Sequence, residues 1–570
     1  MAGSAWWGSF LLSHLPYFSI LAFLALAMLE RLGYMLIARR PTTAGKLPRK
    51  FPRVCIQVPM YEEVAVAKRV IAAACTISWP RDRFEVQVLD DSQDQETKRF
   101  VDKVARKFRN NGVNCHVVRR FRRTNLKAGA LEEGRIQTSA DFVAIFNAGF
   151  LPTADYLEQT VPHFYTDQAM PLDSLAMVQA QWGHTNHNES MLTQSQSLWL
   201  DDLHTLQMSW RSKVLGFVNF TGSAATWRAQ ALEDAGGWKS ESNAESADLS
   251  LRALFIGYTT KFVKEIVQPA ELPVSYTIFK SQQKRCTKGW AQILRMHARD
   301  IFAEYNAPFL KRMILLFQIL QPLQWLLWML WSLLLPLVAQ FGIFVSSPFS
   351  AFVLYVAPAM AWLVTMTTLA TMQTRFSYNE PDDFSNMRAM VRMGRLVPFV
   401  LINTGMLPLQ ACAWLEGIIL GPQTTSSDAV TRLTSILEEE EMATQFPAIT
   451  LLLRRLFGRF KTKWNWCMAV EALYAAYHIV WALFLAAQGY RVTPLLEVYA
   501  AATVLALMLY YGDDDVNWRY PIRCWPNSEY EWASDSAEEE AASIPLVANK
   551  RGKKGRGTTN TSEGSTYGAV

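Results

Sequence analysis

The sequence predicts an α/β domain set between α-helices that cross a membrane. Strand-like and helix-like segments alternate through residues 51–300, a pattern typical of a parallel sheet with helices on both faces. Long apolar stretches lie on either side of that region. Of the 570 residues, 50% are hydrophobic and only 19% are charged, which is typical of a chain that lies partly in lipid.

Four segments of the α/β region have the composition of buried strands. They are RVCIQVPMY (53–61), FEVQVLDDS (84–92), GVNCHVVRR (112–120) and DFVAIFNAG (141–149). Ligands bind beyond the carboxyl ends of the strands in such sheets. Asp90 and Asp91 end the second segment, and Asn147 to Gly149 end the fourth. We therefore expect these residues to share one crevice.

The apolar stretches predict five crossings of the membrane. The first, from Phe10 to Met28, is long enough to span a bilayer and is followed by a basic segment at 39–53. Basic flanks stay in the cytosol, which places the α/β domain there. The other predicted crossings lie near 313–340, 350–372, 466–488 and 493–511.

A further apolar segment, 396–420, is ambiguous. It is interrupted by polar and helix-breaking residues and carries Glu416. If it crossed the bilayer, the basic run at 454–463 would lie outside, against the positive-inside tendency. We expect a helix in the cytosolic interface, with a spanning helix as the alternative.

The chain is thus predicted to have four parts. The parts are an N-terminal transmembrane helix (1–40), a cytosolic α/β domain (50–300), transmembrane and interface helices (301–512) and a disordered cytosolic tail (513–570). The net charge of +6 clusters beside apolar segments, so it indicates membrane topology rather than nucleic-acid binding. Seven cysteines without a C-x-x-C pair predict reduced thiols.

Nine motifs follow one another in the α/β region. They are VPMYEE (58–63), SWPRDRFEVQVLDDS (78–92), RRTNLKAGAL (122–131), FVAIFNAGF (142–150), MVQAQWGHTN (177–186), FTGSAATWR (220–228), GGWKSESNAESADLSLRA (236–253), ELP (271–273) and QQKRC (282–286). Their order resembles that of the processive, cellulose-synthase-like membrane glycosyltransferases of family 2, especially plant mannan synthases and xyloglucan-backbone glucan synthases. The resemblance implies a GT-A-like nucleotide-sugar domain and a multi-pass protein of the Golgi or plasma membrane.

The resemblance also implies two groups of binding residues. The nucleotide would be contacted by Asp90, Asp91, Lys127, Gln282 and Arg285. The acceptor sugar would border Phe220, Thr221, Gly222 and Cys286.

The metal position of the family is altered in this chain. A D-x-D pair there holds Mg²⁺ or Mn²⁺, but this sequence reads Asn147-Ala148-Gly149. Magnesium is usually held by carboxylates together with phosphate; an amide oxygen is a weak substitute, and glycine has no side chain. The resemblance implies a metal, but the ligands for it are missing.

Two further catalytic positions are altered. The T-E-D motif, which supplies the general base, reads Ala244-Glu245-Ser246, and a serine hydroxyl is not basic near neutral pH. The Q-x-x-R-W motif keeps its Gln and Arg but has Cys286 in place of the stacking tryptophan.

These substitutions predict a β-glycan-synthase-type protein with impaired catalysis. Loss of a general base alone typically costs a factor of about 10² to 10⁴. We expect a scaffold, regulator or subunit of an active glycan synthase that contacts lipid and binds a nucleotide sugar weakly, without metal. One alternative is an active synthase that transfers glucose or mannose, with Glu245 or Asp248 as base. Another is a channel that holds a polysaccharide chain without extending it.

A single cysteine placed in the EEEEM stretch (438–442), on a cysteine-free background, tests the topology. Five crossings put this stretch in the cytosol, on the same side as the α/β domain. An impermeant maleimide should label it, and a reference cysteine at Lys103, only when the cytosolic face is open. Labelling of 438–442 from the lumenal side of sealed vesicles would contradict the five-crossing arrangement.

Overall fold

The structure is a computed structural model. It describes residues 10–11, 13–38, 42–187, 189–341, 352–373, 393–394, 396–422, 466–489 and 493–511. These residues all belong to one compact unit. The predicted tail (513–570) and the stretches 438–442 and 454–463, which bear on topology, lie outside the described residues.

The α/β region is built on one seven-stranded sheet with the strand order β3-β2-β1-β4-β6-β5-β7. Its strands are β1 Val54–Met60, β2 Phe84–Asp90, β3 Cys115–Val118, β4 Phe142–Ile145, β5 Leu175–His184, β6 Ala225–Arg228 and β7 Thr259–Ala270. The four strands predicted from sequence are β1 to β4, and they pair in parallel.

The sheet as a whole is mixed, which corrects the prediction of a parallel sheet. Strand β6 runs antiparallel to both of its neighbours, β4 and β5. Val143 on β4 and Met177 on β5 both face Trp227 of β6 in the register. The composition of a four-residue strand does not encode its direction, which depends on how the chain crosses over the sheet.

Helices flank the sheet and then form the second half of the described chain. They are α1 Leu15–Gly33, α2 Val64–Cys75, α3 Gln95–Asn110, α4 Leu126–Gln137, α5 Tyr156–Thr160, α6 Met191–Asp201, α7 Ser209–Leu215, α8 Ala229–Asp234, α9 Glu245–Phe255, α10 Tyr276–His297, α11 Asp300–Ala303, α12 Phe309–Leu320, α13 Leu323–Gln340, α14 Ala357–Gln373, α15 Leu396–Gly405, α16 Leu407–Leu420, α17 Trp466–Ala487 and α18 Thr493–Tyr511. A π-helical segment, Asp202–Met208, joins α6 to α7.

The alternation of side chains along the strands produces two cores, one on each face of the sheet. On β4, Phe142 and Ala144 point into one cluster, while Val143 and Ile145 point into the other. All four are at most 1% exposed. Burying each large apolar side chain contributes about 1.5–3 kcal/mol, so these central strands hold the strand ends in place.

Three helices in the described part of the chain are long and apolar enough to cross a membrane. They are Leu15–Leu36, Leu323–Gln340 and Ala469–Ala487. They coincide with three of the five predicted crossings. Shorter apolar helices, Val353–Thr365 and Leu495–Ala506, fall in the other two predicted segments. The number of crossings therefore stays a prediction.

The ambiguous segment 396–420 forms α15 and α16, which meet at an angle of 47°. Its polar interruptions contact α10. The Thr287 hydroxyl donates to Gln410 Oε1, and the Lys288 ammonium donates to Glu416 Oε1. Gly417 lets the backbones of α16 and α10 approach closely, because a Cβ there would lie 2.6 Å from Lys288 O. The polar residues of this apolar segment thus fix α10 to α16.

Two buried ion pairs join α1 to the π-helical segment Asp202–Met208 and to α7. Arg31 Nε donates to Asp202 Oδ1 at 3.0 Å, and Arg211 Nε donates to Glu30 Oε1 at 3.2 Å. All four side chains are at most 4% exposed. A buried charge is costly unless it is paired, so these contacts constrain where α1 meets the α/β region.

Replacement of Asp202 by Asn should lower the stability of the purified full chain. It leaves the Arg31 guanidinium buried without a counter-charge, a change that typically costs about 3–5 kcal/mol. Asp82→Asn is the matched control, because the Asp82 side chain is 79% exposed in its contact with Arg83. Thermal unfolding in detergent should show a clear drop in midpoint for Asp202→Asn only. Equal midpoints for the two variants would contradict this assignment.

Candidate functional site

The predicted crevice lies at the carboxyl ends of β2, β1 and β4. Strand β1 lies between the other two. Asp90, the last residue of β2, and Asn147, two residues beyond β4, therefore lie at the ends of strands that are two positions apart in the sheet. With neighbouring strands about 4.8 Å apart, these two strand ends are roughly 10 Å from one another. They share one edge, as the sequence predicts.

Lys127, the second residue of α4, lies at the centre of this site. Its ammonium donates to Asn147 Oδ1 at 2.7 Å and to Gly222 O at 2.8 Å. Burial lowers the pKa of Lys127 to about 8, with Glu245 acting in the opposite direction and Arg285 in the same one. The structure therefore brings together a predicted nucleotide residue, a predicted metal-position residue and a predicted acceptor residue.

The backbone entering α4 adopts an unusual conformation. Asn125 and Leu126 have φ values of 60° and 43°, in the left-handed region that non-glycine residues rarely occupy. Each such residue costs of the order of 1–3 kcal/mol and persists only where the surroundings enforce it. Arg120 contributes here, since its guanidinium donates to Leu126 O at 2.9 Å. The backbone conformation at the N-terminus of α4 therefore positions Lys127 in the crevice.

The base position lies in the first turn of α9. Ser246 is buried, and a Cβ built on Gly222 would lie 3.5 Å from its Oγ. Gly222 has φ +95°, which explains why a glycine is found there. Glu245, next to Ser246, is partly exposed, and its charge influences both Lys127 and Cys286. Glu245 therefore faces the same crevice.

Asp248, the other residue considered as a replacement base, is already engaged by two side chains of the protein. Its carboxylate contacts His297 Nε2 at 2.8 Å and accepts from Arg252 Nε at 2.9 Å, and the residue is 2% exposed. Although burial opposes ionisation, His297 and Arg252 hold the pKa of Asp248 below its usual value. Of the two candidates, Asp248 therefore anchors α9 to α10, and only Glu245 is in reach of a ligand.

Helix α10 carries the remnant of the Q-x-x-R-W motif. Gln282, Arg285 and Cys286 lie in its first half and are exposed to solvent. The charge of Arg285 acts on Lys127. A close contact fixes the helix against α9, because a Cβ on Gly289 would lie 2.9 Å from Ala244 Cβ.

The two strand-end aspartates are held by arginines from the loop after β3. Arg119 Nε donates to Asp90 Oδ2 at 2.9 Å, and Arg120 Nε donates to Asp91 Oδ1 at 3.0 Å. Asp90 is 2% exposed. Both carboxylates are therefore already engaged by cations of the chain, and a nucleotide contact by Asp90 and Asp91 stays a prediction. Sequence reasoning missed both arginines, although the run RRFRR (119–123) directly follows the third strand.

The predicted acceptor residues lie in different environments in the structure. Phe220 is 1% exposed and packs edge-on against Trp227 and Trp238, with ring centroids 5.9 and 6.1 Å away, so it is a core residue. Thr221 is half-buried, and its N–H donates to Gln179 Oε1 at 3.3 Å. Gly222 borders the crevice directly. The apolar character of Phe220 suits a core as well as a sugar platform, so the sequence alone did not distinguish them.

The residues at the metal position do not fit a resident divalent cation. The Asn147 amide oxygen already accepts from Lys127, and Gly149 offers no side chain. Among the described residues, no group of three or more His, Cys, Asp or Glu could hold a metal ion. Mg²⁺ prefers carboxylate oxygens, and none follows β4 here.

A comparison with protein families identifies the family whose fold has this kind of mixed sheet, flanking helices and crevice. Residues 52–303 match the model described as "Glycosyltransferase like family 2". This region is a family-2 glycosyltransferase domain. Its fold is GT-A-like, as the motif order predicted.

Curated relatives of the glycosyltransferase domain are plant enzymes. The chain is 38% identical over 272 residues to "Glucomannan 4-beta-mannosyltransferase 1" of Cyamopsis tetragonoloba, covering 47% of this chain and 51% of the relative. It is 37% identical over 270 residues to "Glucomannan 4-beta-mannosyltransferase 7" of Arabidopsis thaliana, covering 47% and 48%. The chain thus spans about half the length of these relatives. The resemblance to cellulose-synthase-like mannan synthases is confirmed for this domain.

A solved structure shows a more distant similarity. A mannosyltransferase from Pyrobaculum calidifontis, in complex with GDP-Man and Mn²⁺, is 20% identical. The match covers 66% of this chain and 97% of that one, with a TM-score of 0.46. A similarity at this level carries no argument about the chemistry of the present chain.

Alanine substitutions at two crevice glycines should differ in effect. A Cβ on Gly149 would meet nothing within 4 Å, and the residue lies outside the left-handed region, so Gly149→Ala should change stability by less than about 0.5 kcal/mol. Gly222→Ala forces a side chain onto φ +95° and should cost about 1–3 kcal/mol. Thermal unfolding of the two full-length variants compares them directly. A larger loss at Gly149 than at Gly222 would refute this description of the crevice.

Proposed function

We propose that the chain is a membrane protein of the β-glycan synthase type whose catalysis is impaired and which serves as a scaffold or regulator of polysaccharide synthesis. One observation carries the proposal. The glycosyltransferase frame is kept, while the three positions that supply metal binding, the base and the acceptor platform hold Asn147 with Gly149, Ser246 and Cys286.

The frame supports this proposal because its contacts are intact where the chemistry is not. Gly222 and Gly289 keep the close approaches that bring α9 and α10 to the crevice. Helix α10 is also tied to the apolar helices, where the Lys280 ammonium donates to Glu471 Oε2 of α17 at 2.6 Å. A protein that had simply lost its function would have no need of these contacts. Their retention favours use of the fold without turnover.

The proposed setting follows the resemblance to the plant enzymes. We place the glycosyltransferase domain (50–300) in the cytosol, the helices of 301–512 in and at the membrane, and the protein in the Golgi or plasma membrane. Its partners would be membrane lipid, an active glycan synthase and the polysaccharide. The nucleotide-sugar donor would be bound weakly; the relatives are glucomannan 4-beta-mannosyltransferases by name.

An active β-glycan synthase is the second candidate, and Glu245 favours it. This carboxylate is partly exposed in the first turn of α9, and no hydrogen bond or ion pair engages it within the described ranges. It would accept the proton of the acceptor hydroxyl as that oxygen attacks the sugar carbon and the nucleoside diphosphate leaves. Asp248 is less suited to this role, because His297 and Arg252 hold it.

Nucleotide-sugar turnover separates the two candidates. Purified full-length protein in lipid should transfer no sugar from GDP-mannose or UDP-glucose to a β-glycan acceptor, with Mg²⁺ or Mn²⁺ present. A plant mannan synthase prepared in the same way is the positive control. Clear turnover that Glu245→Gln abolishes would replace the proposal with the active synthase.

Restoring the family residues as a set provides a second test. The variant combining Asn147→Asp, Gly149→Asp, Ser246→Asp and Cys286→Trp should gain metal-dependent turnover. Each single change should do little, because metal, base and acceptor platform act on one transition state. The open surroundings of Gly149 and the exposure of Cys286 accommodate the larger side chains. Failure of the folded quadruple variant would show that more than these positions has been lost.

A further inference from the structure

A cavity of about 340 Å³ lies at the edge of the sheet opposite to the crevice. It is formed where β5 and β7 begin, and Leu175 and Thr259, the first residues of these strands, are among its lining residues. Strands β4 and β5 both run antiparallel to β6, so β5 begins at the edge remote from the carboxyl end of β4. The cavity is therefore separate from the predicted nucleotide and acceptor positions.

Two lysines line this cavity, Lys261 on β7 and Lys213 on α7. Burial lowers the pKa of Lys261; the charge of Glu265 opposes this shift, and the charge of Lys213 adds to it. The two ammonium groups are thus close enough to repel one another. An anion that lies between two such cations stabilises both.

The Lys261 ammonium is held by two neutral groups. It donates to Thr43 O at 3.0 Å and to His163 Nδ1 at 3.1 Å. Burial, together with the charge of Lys261, lowers the pKa of His163 to about 4, so this ring carries no charge near neutral pH. A lysine has three N–H donors, so one N–H of the ammonium remains beyond these two contacts.

Hydroxyl groups complete the lining of the cavity. The Ser212 hydroxyl oxygen accepts from Phe262 N–H at 2.9 Å, which leaves the hydroxyl hydrogen to donate. Ser174 is exposed at the rim. The described residues that line the cavity include no Asp or Glu. Ammonium groups with hydroxyl donors beside them suit the oxygens of a phosphate.

The carboxylates nearest to the cavity have other contacts. Glu265 is exposed and accepts from Thr42 N–H at 3.3 Å. The Asp173 side chain is 83% exposed and lies 3.6 Å from the Arg228 guanidinium. Neither carboxylate therefore fills the space between the two lysines.

Helix α7 ends at the cavity, and the C-terminus of a helix disfavours an anion. This effect is reduced because the last carbonyl groups are engaged. Gly216 O accepts from Thr260 N–H at 3.0 Å, and Leu215 O accepts from Lys311 Nζ at 3.5 Å. Lys311 also brings a further cation to this side of the cavity.

The cavity lies near the end of the first apolar helix. Lys264 Nζ donates to Tyr34 Oη at 3.1 Å, and Tyr34 belongs to Leu15–Leu36, which is long and apolar enough to cross a membrane. Lys264 follows Lys261 by three residues, about 10 Å along a strand. A lipid headgroup at the end of this helix would therefore be within reach of the cavity.

Exposed apolar side chains lie on the same side as Lys311. Phe309 and Leu310, which begin α12, are 72% and 70% exposed and directly precede this lysine. Apolar residues beside a cation are typical of a helix that lies in the lipid interface. This arrangement favours a lipid as the source of the anion.

We propose that this cavity binds the phosphate group of an anionic ligand, with Lys213 and Lys261 as its cations. Two sources can supply this chemistry: the headgroup of an anionic lipid at the end of α1, and a free phosphorylated solute. The site uses no residue of the crevice and requires no catalysis. It therefore stands independently of the proposed function.

Calorimetry on the full chain in detergent tests the site with short-chain phosphatidic acid, short-chain phosphatidylcholine and glycerol 3-phosphate. Phosphatidic acid should bind at least about tenfold more tightly than phosphatidylcholine, which has the same acyl chains but no net charge. Glycerol 3-phosphate carries the same phosphate without acyl chains. If it binds as tightly as phosphatidic acid, the source is a free solute; if it binds more weakly, the source is a lipid headgroup.

Variants at the two lysines locate the site. Lys213→Met and Lys261→Met should each weaken the binding of the phosphate ligand about fivefold. Because Lys213 is exposed, its variant keeps the test informative if Lys261→Met does not fold. Lys107→Met removes the same charge from an exposed position on α3 and should leave the affinity unchanged.

Three results would overturn the inference. They are no binding of either phosphatidic acid or glycerol 3-phosphate, equal binding of phosphatidic acid and phosphatidylcholine, and unchanged affinity in both lysine variants. Sugar turnover by the parent protein would bear on the proposed function alone. The failure of one proposal is thus distinguishable from the failure of the other.

Discussion

Helix α10 is held between two close backbone approaches, and much of the molecule depends on them. On one side Gly289 brings it against Ala244, at the start of the helix that carries Glu245 and Ser246. On the other side Gly417 brings α16 against Lys288 and Ala291. A side chain at either glycine would separate helices that share the crevice. The same helix therefore joins the sheet domain, the site and the apolar helices.

The electrostatics of the crevice follow one pattern. Its aspartates are each engaged by a cation of the chain: Asp90 by Arg119, Asp91 by Arg120 and Asp248 by His297 with Arg252. Unpaired buried carboxylates are costly, so such pairing stabilises the fold. It also removes these groups from chemistry. Lys127 and Glu245, which face the same crevice, keep capacity for a ligand.

Charged pairing also connects the sheet domain to the apolar helices. Arg31 with Asp202, Arg211 with Glu30, and Lys280 with Glu471 are buried pairs between distant parts of the chain. Desolvation offsets most of the attraction within such a pair, but removal of one partner leaves a buried charge without a counter-charge. They suit a protein in which a sheet domain must keep a fixed relation to helices that pack mainly through apolar contacts.

The sequence by itself determined the first four strands, their parallel pairing and the crevice at their ends. Runs of Val and Ile bounded by polar residues are local signals, and the motif order pointed to the family. The sequence also showed which residues replace those of the family motifs, namely Asn147, Gly149, Ser246 and Cys286. Each replacement changes the chemical group of the side chain, and no structure is needed to see that. The sequence also gave the apolar segments, three of which are helices long enough to cross a membrane.

Only the tertiary structure decided which polar groups are free. It paired Asp90 and Asp91 with arginines some thirty positions away, committed Asp248 to His297, and put Phe220 in the core. It also reversed β6 and placed the Lys127 ammonium between Asn147 and Gly222. These outcomes depend on contacts between residues far apart in the chain. A hydrogen bond or ion pair of that kind leaves no periodic or local trace in composition, so the residue type alone could not predict it.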